Sequence, residues 1–475
     1  MKLSQIGLMN VAKKAYFNFL RNGMRYLTII ILFAKLLPNS NSVRFTPYLS
    51  SRYSSNGSIL NSKTSTYSLI NQIGMKASRE TYKLSLQGDF SFFSTKNLDP
   101  KLLEMNPDIS LINSREYKNN NDKWFLNSDF KIDYKLKNSS LYAGKTTEQW
   151  GYGNSSLMIS DNVPSFPKFG FSWKISQQLE LDYFYGNLTS LIPDSSYQKL
   201  YSNNIGERKK FFNRSIAAHK LTFKPNKYIE FNASESVIFS RPAFELNYLI
   251  PFLPFWSLQS YIGDIDNIQM LAEVILKIND KYNFFGSLFL DEWTPEWTFK
   301  DKNRNWAGYQ IGFKAKEIAN FSNKFIIEYN WIDHRVYRHL FPINTSYSYD
   351  YPLGFWAGPH SQELYLQYNM TVLSFKLETK ASFVKRGQLT NKMLNDQYNN
   401  IMNDRFSGAN EKRKHISLKL NKNIYKDIAD FSIGVDYVDW KNPGFDPFNP
   451  KDQGKIISKI SVNVSLDLAL NLASY

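Results

Sequence analysis

The chain of 475 residues contains no cysteine, which excludes a disulfide framework and a thiolate metal site. Histidine is scarce. The five residues, at 219, 334, 339, 360 and 415, show no metal-ligand spacing, and His334 and His339 would point to opposite faces of a strand. No metal or cofactor is expected. Long apolar runs are also missing. The one candidate, Leu27 to Leu37, is far shorter than the roughly 20 apolar residues of a spanning helix. It follows Arg21 and Arg25 and runs into Pro38-Asn39-Ser40-Asn41-Ser42, the pattern of a secretory signal. Residues 1–42 are therefore expected to be a signal peptide cleaved near Ser42, with Met24 as an alternative start and an N-terminal anchor as the other reading. No later stretch offers a helical span. If the chain lies in a membrane it must be a closed barrel, because only helices and closed barrels satisfy every backbone group in lipid. The sequence shows no repeat of the propeller or solenoid type, no zinc-finger spacing and no aromatic-and-basic RNA signature. The net charge of +16 is spread over scattered lysines, and no nucleic-acid partner is expected.

What is present is alternation. Aromatic residues make up 16% of a chain that is polar on average, which fits alternating strands with aromatic girdles. From Ile460 to Tyr475, Ile460, Val462, Val464, Leu466, Leu468, Leu470 and Leu472 alternate with small or polar residues. Such a run has one apolar and one wet face, and its length suits the about 9–11 residues of a bilayer-crossing strand. The same period recurs at Tyr82–Phe92, Phe130–Leu136, Leu179–Tyr185, Tyr309–Ala315, Leu364–Val372 and Phe431–Tyr437. Lys224-Pro225-Asn226-Lys227 and Asn279-Asp280 read as tight hairpins, whereas 95–122, 188–213, 241–266, 334–360, 385–412 and 441–455 read as long connections. Short turns on one side and long loops on the other describe an all-β, transmembrane outer-membrane antiparallel β-barrel of about eighteen strands with long external loops. Residues 43–78, rich in Ser and Asn with weak periodicity, are expected to be a periplasmic lead-in that could hold one strand, and 79–475 the barrel.

Two stretches do not fit plain wall. In Gly144–Pro167, three glycines surround Trp150 and Tyr152, and Asn162 lies on the polar side. Arg241–Asn267 is too aromatic and proline-rich for a free loop and is expected to fold into the lumen or against the rim. The order G-x(5)-W-G-x-G, then S-L-x-I-S-x-N, then a proline-rich stop resembles the core motif of the Wzi capsule-assembly family. Ser234-Glu235-Ser236 with Arg241-Pro242 and Asp266-Asn267, the strand Gly286–Glu292 ending in acids, and Tyr351-Pro352-Leu353-Gly354 with Gly358-Pro359-His360 are similar to it as well. The resemblance runs over about 140–370 in loose order. It implies an outer-membrane barrel that binds surface or capsular polysaccharide and retains it at the cell surface, surrounded by outer-membrane lipid and lipopolysaccharide. Two departures stand out: 43–78 lacks the helical periodicity of the family's enterobacterial type, and Tyr475 falls on the polar parity of its strand.

Sugar recognition needs aromatic faces under rings and fixed carboxylate or amide groups for hydroxyls. Trp150, Tyr152, Asn162, Asp291, Trp293, Trp356 and His360 could supply them, and the motif adds Arg241, Asp266, Asn267 and Glu292. The same residues could instead be girdle aromatics and wet lumen lining. No catalytic residue is expected. Asp291 and Glu292 are adjacent and face opposite sides of a strand, so they cannot form a glycosidase pair, and Ser234 lies in S-E-S rather than a nucleophile elbow. Three readings follow. A polysaccharide anchor predicts a lumen blocked by 241–266, a porin-like channel predicts an open lumen with charged rings, and an outer-membrane hydrolase predicts a Ser or His with an acid partner at the rim.

Overall fold

The computed structural model describes residues 43–58, 66–96, 117–119, 122–196, 210–241, 244–263, 265–298, 305–318, 322–398, 403–425, 428–443, 445–449 and 451–469. The expected signal peptide and the last residues of the terminal run, 470–475, lie outside them.

Alternation builds the wall. The strands are β1 (Arg44–Ser58), β2 (Thr66–Glu80), β3 (Leu84–Lys96), β4 (Asp122–Lys135), β5 (Ser139–Thr146), β6 (Phe166–Lys174), β7 (Leu179–Pro193), β8 (Phe211–Phe223) and β9 (Ile229–Phe239). They continue with β10 (Asn267–Lys277), β11 (Tyr282–Glu292), β12 (Trp306–Lys316), β13 (Asn323–Ile332), β14 (Ser361–Val372), β15 (Phe375–Gly387), β16 (Asn410–Tyr425), β17 (Ala429–Lys441) and β18 (Ile456–Ala469). Each pairs antiparallel with its sequence neighbours, and β1 closes the ring on β18 with Tyr48 opposite Ala469 and Ser58 opposite Lys459. Of the nineteen described strands in this sheet, eighteen form the closed barrel and Tyr117–Asn119 is a short arm on β4. The two hairpins expected from sequence are turns, held as turn chemistry dictates: Asn226 Oδ1 accepts the amides of Tyr228 and Ile229 at 2.8 and 3.1 Å, and Asn279 Oδ1 those of Lys281 and Tyr282 at 2.8 and 3.0 Å. All short turns lie at one end, and the long loops at the other, external end.

The apolar parity faces out. Leu126, Phe130, Ile132 and Tyr134 on β4, and Ile460, Val462 and Leu466 on β18, are exposed on the outer surface. Their inward neighbours are polar, as where Ser465 meets Ser432 at 2.6 Å. Val462→Arg, mid-strand and outward, is expected to cost about 2–4 kcal/mol of insertion free energy, while Ser461→Arg on the lumen side is nearly neutral. Equal yields of heat-modifiable barrel from both variants would contradict the assignment.

Two expectations are corrected. Residues 43–78 are not a lead-in, because β1 and β2 are full wall strands. Their outward face carries Ser51 and Asn71, which satisfy each other at 2.8 Å; this polar pair hides the period in the sequence. Nor does 241–266 fill the lumen. Phe184, Ile216, Ala218, Ile238, Leu271 and Phe289 face inward and pack on Trp150, Leu157, Met158, Ile159, Leu353 and Phe355 from the loops 147–165 and 333–360. The alternate residues of the same strands, Tyr183, Tyr185, Ala217, Val237 and Phe239, face outward and pack on Tyr248 and Phe255. The 244–263 segment, with α1 (Phe255–Ile262), therefore lies on the outside of the wall. The reason is chemical: Glu235 and His219 stand on the outward parity, 3.1 Å apart, and Glu235 accepts the Phe255 and Trp256 amides at 2.7 Å each. A carboxylate facing lipid needs such a cover.

Candidate functional site

The loop between β5 and β6 is a plug, and the barrel holds it chiefly by its backbone. Trp150 and Ile159 form an isolated antiparallel bridge that turns the loop back on itself. Inward residues of β10, β12 and β13 then bind it. Glu273 on β10 accepts the Tyr152 amide at 3.2 Å. Glu328 on β13 accepts the amides of Asn154 at 2.6 Å and Ser155 at 3.2 Å. Gln310 on β12 donates to the Ser155 carbonyl at 2.6 Å and to Asn330 Oδ1 at 2.7 Å. Lys314, also on β12, donates to the Tyr152 carbonyl and lies over the Tyr152 ring at 4.5 Å. Gly153 packs so closely on Gln310 that a Cβ there would collide with its amide, which explains the glycine in the W-G-x-G run. The plug's apolar side chains complete a dry core, so its placement combines burial with satisfied polar groups.

The loop between β13 and β14 closes over the plug. The Tyr337 hydroxyl donates to the Leu157 carbonyl at 2.6 Å and accepts the Phe355 amide at 2.8 Å, while its own amide donates to Asp291. Arg214, buried on β8, donates to the carbonyls of Ile343, Tyr347 and Pro342 at 2.5, 2.6 and 3.1 Å and to Thr345 Oγ1 at 3.2 Å. The opposite side of the lumen differs. There the Tyr48 hydroxyl donates to Asp89 at 2.7 Å, and His415 lies 3.2 Å from Asp436. These residues are partly exposed and polar.

The expected site residues fall into four groups. Trp150, Tyr152, Asn267, Asp291 and Trp356 belong to the plugged lumen. Trp150 sits edge-on to Phe184 at 5.1 Å, Asn267 donates to the Asn344 carbonyl at 3.0 Å, Asp291 accepts from Gln269 at 2.6 Å, and Trp356 donates to Glu363 at 3.1 Å under the Arg413 guanidinium. Arg241 and Asp266 form a pair at 3.0 Å beside the outer-wall segment, where Tyr248 also donates to Asp266 at 2.9 Å. Glu292 and Trp293 lie at the external end, with Trp293 exposed and donating to Thr298 at 3.2 Å, and Asn162 is half-buried in the plug loop, its amide donating to Ser160 at 3.1 Å. His360 is buried at the start of β14. Sequence reasoning missed Glu273, Gln310, Lys314, Glu328 and Arg214. Their signal was present as charged and amide residues at inward strand positions, but period-two patterning does not separate lumen lining from plug binding.

His360 works as a neutral clamp. Its Nδ1 lies 2.6 Å from the Gln388 carbonyl, and its Nε2 accepts the Phe406 amide at 2.9 Å, which fixes the Nδ1–H tautomer. Burial pushes its pKa down to about 4, with His334 and Arg405 adding to the effect against Asp333 and the Gln388 carbonyl. A folded-state value below the ordinary 6.5 means that the contribution to stability is complete above pH 6.5 and lost as pH falls from there toward 4. The heat-modifiability midpoint is expected to drop over that window in wild type and to drop less in His360→Gln. Equal slopes would remove His360 from the account.

A closed barrel with an apolar outer face and a lumen filled from its long-loop end is an outer-membrane protein of the Gram-negative type. A family model, Capsule assembly protein Wzi, matches residues 101–453. The chain belongs to that family of outer-membrane capsule assembly proteins. Among solved structures it is similar to Wzi of Escherichia coli, described as an outer membrane protein involved in group 1 capsule assembly and a carbohydrate binding β-barrel, with TM-score 0.55, 13% identity, and 90% of this chain and 85% of that one covered. It is also similar to OccAB2 of Acinetobacter baumannii, with TM-score 0.48, 12% identity, and 90% of this chain and 98% of that one covered. OprD of Pseudomonas aeruginosa gives TM-score 0.45, 9% identity, and 91% and 96% coverage. No curated protein sequence matches the chain.

Proposed function

We propose that this barrel binds surface polysaccharide at its external end and retains it on the cell, by binding and without catalysis. The observation that carries the reading is the plug: the carboxylates that would ring a channel, Glu273 and Glu328, are instead spent on loop amides. The long loops then present aromatic and basic groups outward. Trp293, Phe341, Tyr351 and Phe448 are exposed, and Arg338 lies 4.3 Å over the Phe448 ring, joining the 333–360 and 442–455 loops. Such faces suit sugar rings, and Lys412 and Lys414, exposed at the external start of β16, suit an anionic polymer. Within the expected site, Trp293, Glu292 and Asn162 remain contact candidates, while Trp356 under Arg413 and the buried Trp150, Asp266, Asn267, Asp291 and His360 hold the loops in place.

The Trp293→Ala, Phe341→Ala double variant tests this in cells. Severalfold more polysaccharide in the medium, at wild-type levels of inserted barrel, is the expected result. Unchanged retention would move the binding surface away from these loops. The polar, partly exposed side of the lumen near Asp89, Lys131 and Asp436 favours a second reading, a narrow solute path. Sustained single-channel conductance of the wild-type protein would support it.

A further inference from the structure

The 244–263 segment is an external loop by connectivity, yet it runs down the outer wall. β6 descends from Phe166 at the external end to Lys174 at the short-turn end. Phe244 lies against Phe169, with ring centroids 6.3 Å apart, and Phe252 lies against Trp173 at 6.1 Å. Those contacts are four residues apart on one strand, or about 13 Å at roughly 3.3 Å per residue, half of the about 25 Å apolar band of such barrels. From Leu246 to Gly263 the sequence has no charged residue. Phe244 and Phe252 keep an exposed side beside these wall contacts, and Leu246, Leu253, Trp256 and Tyr261 are exposed as well.

Irregular backbone at membrane depth persists only where protein satisfies it. Here the wall does so. Glu235 takes the two leading amides of α1, and the Tyr183 hydroxyl donates to the Tyr248 carbonyl at 2.9 Å. The apolar outer surface of the segment continues the lipid-facing band of Leu221, Phe223 and Phe231 on β8 and β9.

We infer that residues 244–263 are a re-entrant membrane element whose exposed face lies among the acyl chains of the outer leaflet, replacing strand side chains as the lipid contact over β6–β10. A cysteine-free chain makes the test direct. Phe252→Cys and Trp256→Cys, each labelled with bimane, are reconstituted in dioleoylphosphatidylcholine vesicles with and without dibrominated acyl chains. Tyr82→Cys in a short turn and Leu340→Cys in the external loop serve as aqueous controls. Labels at 252 and 256 are expected to be quenched at least twofold by brominated chains and shielded from iodide, with the reverse at 82 and 340. Iodide quenching at 252 and 256 equal to that at 340 would make the segment an aqueous loop and overturn the inference. Shielding from both quenchers, with disulfide-linked dimers of unlabelled Trp256→Cys on oxidation, would assign the face to a second copy of the chain and overturn it equally. Heat-modifiability of each variant confirms a folded barrel.

Discussion

Arg214→Met is expected to free the 333–360 loop from the lumen while leaving the wall closed. The guanidinium is buried, and it ties three carbonyls and one hydroxyl of residues 342–347 to β8. Methionine keeps the volume of the stem and removes every donor. Hydrogen bonds to a charged group are worth about 1.5–3 kcal/mol each, and the carbonyls left behind stay buried, so the loop loses on the order of 5 kcal/mol. The wall strands keep their ladders, so the loss is local. Protease should then cut within 333–360 on intact cells at least a hundredfold faster, with heat-modifiability retained. Arg214→Lys should rescue only in part, since an ammonium cannot fork to three acceptors. Wild-type resistance to protease in Arg214→Met would show that the Leu353 and Phe355 packing suffices alone.

The second large effect concerns Glu328. Both of its oxygens accept plug amides, and Asn330 also donates to it at 2.9 Å. Glu328→Leu removes the acceptors and strands the Asn154 and Ser155 amides beside an apolar wall. Losing two charge-assisted bonds costs about 3 kcal/mol or more, which raises the population of plug-out states by about two orders of magnitude. In planar bilayers the variant should show frequent openings where wild type shows few. Glu328→Gln, which keeps one acceptor oxygen, should fall between them. A silent Glu328→Leu variant would mean that the dry core around Met158 and Ile159 holds the plug unaided.

The wall was legible because lipid outside and polar groups inside impose a strict period of two. The turns were legible through Asn226 and Asn279. β1 and β2 were not, because the Ser51–Asn71 pair replaces apolar residues on the outer face. The segment over the outer wall left one clue: Glu235 and His219 stand on the lipid parity, which no bare strand tolerates. The proline-rich aromatics were visible, but not the face they cover. Of the site, the Trp150–Gly153 stretch was found through its glycines, whereas the partners that hold it lie more than a hundred residues away and carry no local signature.

The polar side chains of the wall grip the plug through its peptide groups at Tyr152, Asn154 and Ser155, while its apolar side chains fill the core. Recognition of main chain is blind to much of the sequence it recognises. At Gly153 Gln310 occupies the space of a side chain, but Asn154 beside it has an exposed side chain and should accept substitution without loss of the plug's seat. The wall residues have no such latitude. A library randomised at residue 154 should therefore retain folded, plugged barrels, whereas one randomised at 273, 310 and 328 should lose them. Such a division leaves a stable mould inside which new loop sequences can be tried without rebuilding the vessel.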